Sequence, residues 1–215
     1  MVKTASHPST VSRSVAQILL LSCGILASVL FTATYLIEGA LHPGYDLMRQ
    51  TISSLEWVSN GWTQQVNFIV FALFISCFAV GVRKELSGGF SATAFPILQG
   101  LVALGLLISG IFISDPLHTI GDYITFLSLV IGFFVIARRF AQEPHWGIGW
   151  AVYSIGSAFL MMGLLAAFGT ALSHGGPAGL FERLAGLVRS IWTVLFVGRL
   201  LTGTRLSPRE SVLSL

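Results

Sequence analysis

Three histidines, His42, His118 and His174, fall in three different connections between apolar stretches. Together with Asp115 or Asp122 they supply the donor types of a catalytic zinc site, which takes three protein ligands and keeps one position for water. The spacing is not that of a metal motif, since neither HExxH nor HxxxH occurs. A histidine at a helix end ordinarily serves as a hydrogen-bonded interface residue, so zinc is carried here only as a candidate cofactor of His42, His118, His174 and Asp115. His118 and Asp122 are spaced four apart and share one face of a helix. Arg49 and Ser53 have the same spacing, which sets a serine beside a cation. A serine becomes a nucleophile only with a base and a third group that orients the base. Any of the three histidines could be that base, but no G-x-S-x-G elbow is present, and an ordinary helix-surface serine is the plainer explanation. His118, Asp122, His174, Ser53 and Arg49 are thus the candidate catalytic set.

Two further residues draw attention by their depth. Asp115-Pro116 has the form of a helix start, with Asp as the N-cap and Pro as the first helical residue. That places Asp122 between one and two turns inside the following helix, where a carboxylate is costly unless paired or hydrated. Arg189 lies seven residues beyond Glu182 along another apolar helix, about 10 Å deeper at 1.5 Å per residue. From there it would have to reach past a full turn to find water, so an Asp122–Arg189 ion pair is expected in preference to a snorkelling arginine.

The elements that must position these side chains are membrane spans. Of 215 residues, 54% are hydrophobic and 10% charged, against about a quarter charged in a soluble domain. Two cysteines and a net charge of +3 point to neither a disulfide framework nor a nucleic-acid partner. Six stretches approach the roughly 20 apolar residues that cross a bilayer, at about 15–37, 66–82, 95–113, 119–137, 147–172 and 184–201. The first is longer than the apolar core of a secretory signal, with no clean small-residue cleavage site, and is expected to be retained. Lys3, Arg13, Arg83, Lys84, Arg138, Arg139, Arg199, Arg205 and Arg209 collect on one side; Arg49, Arg183 and Arg189 lie on the other. The positive-inside rule therefore puts both termini in the cytoplasm of a cell-membrane protein. The domain plan is a short N-terminal segment (1–14), one six-helix transmembrane domain (15–203) and a cytoplasmic tail (204–215).

Between the first two spans runs the one long connection, Gly39 to Gln65. In it Tyr45, Met48, Ile52 and Leu55 recur at 3-4-3 spacing, and Asp46, Arg49, Ser53 and Glu56 recur one residue later. Two such stripes predict an amphipathic helix, either an interfacial anchor with Trp57 and Trp62 or a lid whose polar stripe faces a site. In the fifth span Gly149, Gly156 and Gly163 recur every seven residues, a pattern that predicts close helix packing. The fold class is all-α: a polytopic six-helix bundle with an outer amphipathic helix.

The loop HPGYDLMRQTISSLEW, the GIFISDP closing span three and GLFERLAGLVRSIWTVLFVGRLL in span six together resemble the bacterial and archaeal six-span family catalogued as domain of unknown function 998. The resemblance covers nearly the whole chain, and its pattern maps onto Arg49, Ser53, Asp115, Glu182 and Arg183. It departs early in span four, where a histidine following a glycine is usual in that family and this chain has Gly121-Asp122 with His118 upstream. The family implies an architecture and no activity. More distantly, a Ser, Asp and His set at one membrane face is similar to the zinc-dependent membrane hydrolases related to alkaline ceramidase, although those have seven spans and a His-x-x-x-His pair absent here.

Three functional readings compete. An enzyme acting on a lipid or lipid-soluble substrate would use the candidate catalytic set. A structural or accessory membrane protein would need only the glycine stripe and interface anchors. A proton-coupled carrier would use Asp122 and Arg189 as a charge relay, but lacks evident inverted repeats. The bilayer is the partner in all three, and a lipid or lipid-soluble ligand is a candidate second one. Oligomeric state is not encoded in any feature of the sequence.

Overall fold

The computed structural model describes residues 13–114 and 116–203. It has six α-helices: α1 (Val15–Leu41), α2 (Trp62–Glu85), α3 (Ser91–Ile111), α4 (Leu117–Gln142), α5 (Ile148–His174) and α6 (Ala178–Thr202). Each is long and apolar enough to cross a membrane, and no strand occurs among the described residues. The six-span, all-α expectation therefore stands, with helices that run further than hydropathy alone marks. α2 starts at Trp62 instead of Val66, and α6 at Ala178 instead of Leu184. Polar first turns, such as Thr63-Gln64-Gln65, continue the helix beyond its apolar stretch. Local signals set several ends. Ser14 accepts the Gln17 N–H at 3.2 Å and caps α1, while Gly175, at φ +72°, closes α5 in the left-handed conformation that favours glycine.

The helices form a ring in which each packs on its sequence neighbours and α6 closes against α1. At the end where α1 begins and α6 finishes, the ring is filled by Phe78, Phe95, Phe133, Phe140, Trp192 and Phe196. Trp192 and Phe196 stack at 4.8 Å, and the Trp192 indole donates to Ser154 Oγ at 3.0 Å. Towards the other end a second cluster joins Tyr35, Phe68, Phe71, Ile75, Val102 and Leu129 to Ile52 and Leu55 of the long connection.

Two packing expectations need correction. Gly149, Gly156 and Gly163 are exposed, with nothing near the position a Cβ would take, so the stripe packs against no helix of this chain. Close helix approach occurs instead between α3 and α4. There a Cβ on Gly121 would lie 2.6 Å from the Gly105 carbonyl oxygen, and one on Gly105 would meet Gly121 and Thr125. The long connection also lacks a continuous amphipathic helix. It folds as turns followed by a five-residue 3-10 helix, Ser53–Trp57, because its backbone is tied to α6. The Gly179 and Leu180 N–H groups donate to the carbonyls of Arg49 and Met48 at 3.3 and 2.9 Å. The expected polar stripe consequently splits: Asp46 and Arg49 point to solvent, whereas Glu56 is buried.

Candidate functional site

Between the aromatic floor and the long connection lies a cavity of about 70 Å³, bordered by residues of all six helices. Its walls are largely apolar, with Phe31 and Tyr35 on α1, Phe68 and Phe71 on α2, and Leu129 on α4. Three ionisable residues, Asp122, Glu182 and Arg189, interrupt them, together with the hydroxyls of Thr32, Tyr35, Ser53, Thr125 and Ser190. On α6 the spacing is decisive. Glu182, Ala185, Gly186 and Arg189 all line the cavity, as the i, i+3, i+4, i+7 positions of one helical face must. The two charged residues therefore bracket two small ones.

Arg189 is 4% exposed, and none of its three guanidinium nitrogens has a hydrogen-bond partner. Its guanidinium carbon lies 4.5 Å from the centroid of the Phe71 ring, which in turn stacks on Phe31 at 4.3 Å. A cation over an aromatic face recovers part of its lost hydration, but leaves the N–H groups unused. The expected Asp122–Arg189 ion pair is thus not formed, although both residues border the same cavity. Asp122 accepts from Ser109 Oγ at 2.9 Å, a contact set up by the close α3–α4 crossing at Gly105 and Gly121. Glu182 accepts the Ile52 N–H at 2.6 Å and so holds the long connection to the cavity rim.

Behind Asp122 sits a second polar cluster. His118 Nδ1 lies 2.9 and 3.1 Å from the carbonyl oxygens of Phe112 and Ser109, which can only accept, so Nδ1 carries the proton. His118 Nε2 then faces Asp122 Oδ2 at 3.6 Å, and Glu56 Oε2 is 3.7 Å from Nδ1. The Glu56 side chain is fully buried and neither of its oxygens is hydrogen-bonded. Burial, with a smaller push from the Asp122 charge, raises its carboxyl to about 8. Glu56, His118 and Asp122 form a row of titratable groups leading from beneath the 3-10 helix to the cavity wall.

The remaining side chains at this end are structural ties. Arg183 donates to the carbonyls of Gln50 and Gly179 at 2.9 Å each and to the Tyr45 hydroxyl at 2.6 Å. His42 spends both ring nitrogens on carbonyl oxygens, those of Glu38 at 2.8 Å and Ser59 at 2.7 Å. Two acceptors require two N–H groups, so this contact favours the imidazolium and raises the His42 pKa.

Of the sequence-predicted catalytic set, Ser53 and Asp122 border the cavity and His118 contacts Asp122. Ser53 Oγ lies 3.1 Å from Thr51 Oγ1, and no histidine hydrogen-bonds it among the described residues, so no nucleophile–base pair is assembled. Arg49 is 73% exposed at its side chain and 4.0 Å from Asp46. His174 is exposed and donates to Thr170 of its own helix at 2.9 Å. Neither borders the cavity. The zinc candidates do not gather: no group of three or more His, Cys, Asp or Glu suited to a metal occurs among the described residues, and His42 is already committed to two carbonyls. Asp115 lies outside the described residues. Sequence reasoning missed Glu56 as a site residue, counting it only in the loop's polar stripe. The one local signal was its neighbour Leu55, which turns inward, although Trp57 on the other side is exposed.

A family model described as protein of unknown function (DUF998) matches residues 25–199. The chain belongs to that family. No curated protein and no solved structure matches it.

Proposed function

We propose that this DUF998 membrane protein binds a lipid-soluble or amphiphilic molecule in its central cavity, with Arg189 as the anchor for an acceptor group on the ligand. The carrying observation is a guanidinium buried to 4% exposure with every nitrogen unpartnered, directed at a cavity between aromatic walls. A buried cation without acceptors is costly. A ligand oxygen at this position would offset that cost, and the aromatic walls suit an apolar body. The ties from Arg183, Glu182 and His42 hold the long connection in place as a cover. The twelve Lys and Arg divide in favour of cytoplasmic termini, a topology that would put the cavity in the outer half of the membrane. Reporter fusions test this: Glu85 and Glu143 are expected inside, Glu56 and Gly176 outside.

The single test of binding fills the cavity. Nothing lies within 4 Å of a Cβ on Gly186, so a side chain can start there, and Gly186→Leu is chosen to project into the space. Polar-lipid extract added to the purified protein in non-ionic detergent is expected to raise the unfolding temperature of the wild type and leave Gly186→Leu unmoved. A ligand present at a hundred times its dissociation constant contributes about 2.7 kcal/mol. An equal response of both proteins would remove the reading.

A second reading has one observation in its favour, the His118–Asp122 contact at 3.6 Å beside the cavity. Such a pair can move a proton to or from a bound molecule, as an acid–base enzyme requires. Turnover of a bound lipid that is lost in His118→Gln while binding persists would favour this enzyme over a binding protein or carrier.

A further inference from the structure

We infer that the ligand class of this cavity is a zwitterion, bound with its anionic group at Arg189 and its cationic group at Glu182 and Asp122. The inference rests on the binding reading above and adds the charge order that the ligand must match. Along α6 the sequence Glu182, Ala185, Gly186, Arg189 places a negative and a positive group two turns apart on one face, with only a methyl group and a hydrogen between them. The backbone positions are about 10 Å apart along the axis. With the charged ends at that spacing, two charge-assisted contacts of about 3 Å would leave about 4 Å between the ligand's own charges. That is the spacing within a phosphoethanolamine head group or a betaine.

A second wall repeats the order. On α4, Asp122 lies five residues from the helix start, as Glu182 lies four from the start of α6, and Thr125 lies about one turn further along with its buried hydroxyl unpartnered. Both walls thus present carboxylates at the shallow level and donors at the deep level. Phe68 also borders the cavity, with an aromatic ring of the kind that suits an ammonium group, whereas the Tyr35 ring already carries the Arg183 guanidinium at 5.5 Å. A simple anion would face two carboxylates without a balancing charge. A simple cation would face Arg189. Only a molecule carrying both charges in this order satisfies both levels.

A zwitterionic head group can come from a membrane lipid or from a water-soluble solute, and the test separates the two. Full-length protein in non-ionic detergent is titrated calorimetrically with three probes: dihexanoyl phosphatidylethanolamine, dihexanoyl phosphatidylglycerol, and free glycerophosphoethanolamine. The expected result is binding of phosphatidylethanolamine at least tenfold tighter than of phosphatidylglycerol. Glu182→Gln, which keeps an acceptor for the Ile52 N–H, is expected to erase that preference while leaving phosphatidylglycerol binding in place. Binding of glycerophosphoethanolamine as tight as that of the lipid would assign the site to a free solute and support the same class. Equal or tighter binding of phosphatidylglycerol by the wild type would overturn the zwitterion while leaving the binding cavity intact. No binding of any probe, together with a wild type that responds to polar-lipid extract, would overturn only the zwitterion. If the extract also has no effect, both readings fall.

Discussion

The two halves of this bundle are built from the same six helices and solved differently. At the terminal end the ring is filled with aromatic side chains, and its polar groups are spent: Gln17 donates to the Gly81 carbonyl at 2.7 Å, and Arg139 to the carbonyls of Ser87 and Gly88 at 2.9 Å each. At the other end the ring encloses a cavity. Nearly all the buried side-chain atoms without a hydrogen-bond partner lie there, on Glu38, Glu56, Gln64, His118, Thr125, Arg183 and Arg189, with Arg139 Nε the exception among the described residues. A membrane interior tolerates such groups poorly. Their concentration in one half separates a part of the molecule that serves stability from a part held open for a purpose.

The sharpest way to break that division is Trp192→Ala. In the filled half it removes a 2% exposed indole stacked on Phe196 and is expected to cost about 3 to 5 kcal/mol. Thermal unfolding in detergent measures it; a shift no larger than that of Phe126→Ala, which borders the cavity, would show that the halves are not packed differently. Next comes Arg183→Ala, which loosens the long connection on α6 by removing its two side-chain hydrogen bonds to Gln50 and Tyr45. A loss of about 2 to 3 kcal/mol is expected, with faster amide exchange confined to residues 45–55; exchange that spreads evenly over the bundle would argue against a local tie.

The titration of Glu56 sharpens the comparison by pH. Its carboxyl is near 8 in the folded protein against about 4.3 in an unfolded chain. A raised folded value means that the stabilisation is complete below the unfolded pKa and is lost as pH rises towards 8. The wild type should therefore lose stability between pH 5 and 8, by no more than about 1.4 kcal/mol per pH unit, and Glu56→Gln should flatten that slope. Unfolding midpoints that run parallel in the two proteins would place the sensitivity elsewhere. The smallest effect has the opposite sign. Arg189→Met replaces an unsatisfied cation with an apolar chain of similar length and should stabilise the ligand-free protein by about 1 kcal/mol, while abolishing its response to lipid. Destabilisation instead would reveal a partner for Arg189 in the membrane.

How far the sequence carried can be argued residue by residue. Span number and fold class were legible because hydropathy depends only on the segment itself. The long connection was not. The spacing of Tyr45, Met48, Ile52 and Leu55 suits an α-helix, yet the shape is decided by Arg183, Gly179 and Glu182, about 130 positions away in the chain. A Cβ on Gly179 would collide with the Gln50 carbonyl oxygen, and nothing local to the loop announces that. The glycine heptad of α5 was visible but pointed outward, while the contact at Gly105 and Gly121 carried no repeat to mark it. Arg189 is buried, whereas Asp122 is 40% exposed at its side chain, and their pairing was inferred from opposite charge alone. The face of Phe71 took the guanidinium instead.

The hold of α6 on the long connection also sets a schedule for biogenesis. The loop leaves the ribosome directly after α1, but the groups that shape it, Gly179, Glu182 and Arg183, arrive only with the last helix. Until then residues 42–61 have no carbonyl acceptors filled from α6, and the cavity has no sixth wall. Insertion of five spans gives a chain with its apolar segments in the bilayer and its cover still unattached. Assembly ends with a single docking event, in which α6 closes the ring against α1, pins the loop and encloses the cavity together. Nascent chains arrested before and after α6 emerges would differ abruptly in protease cleavage of that loop.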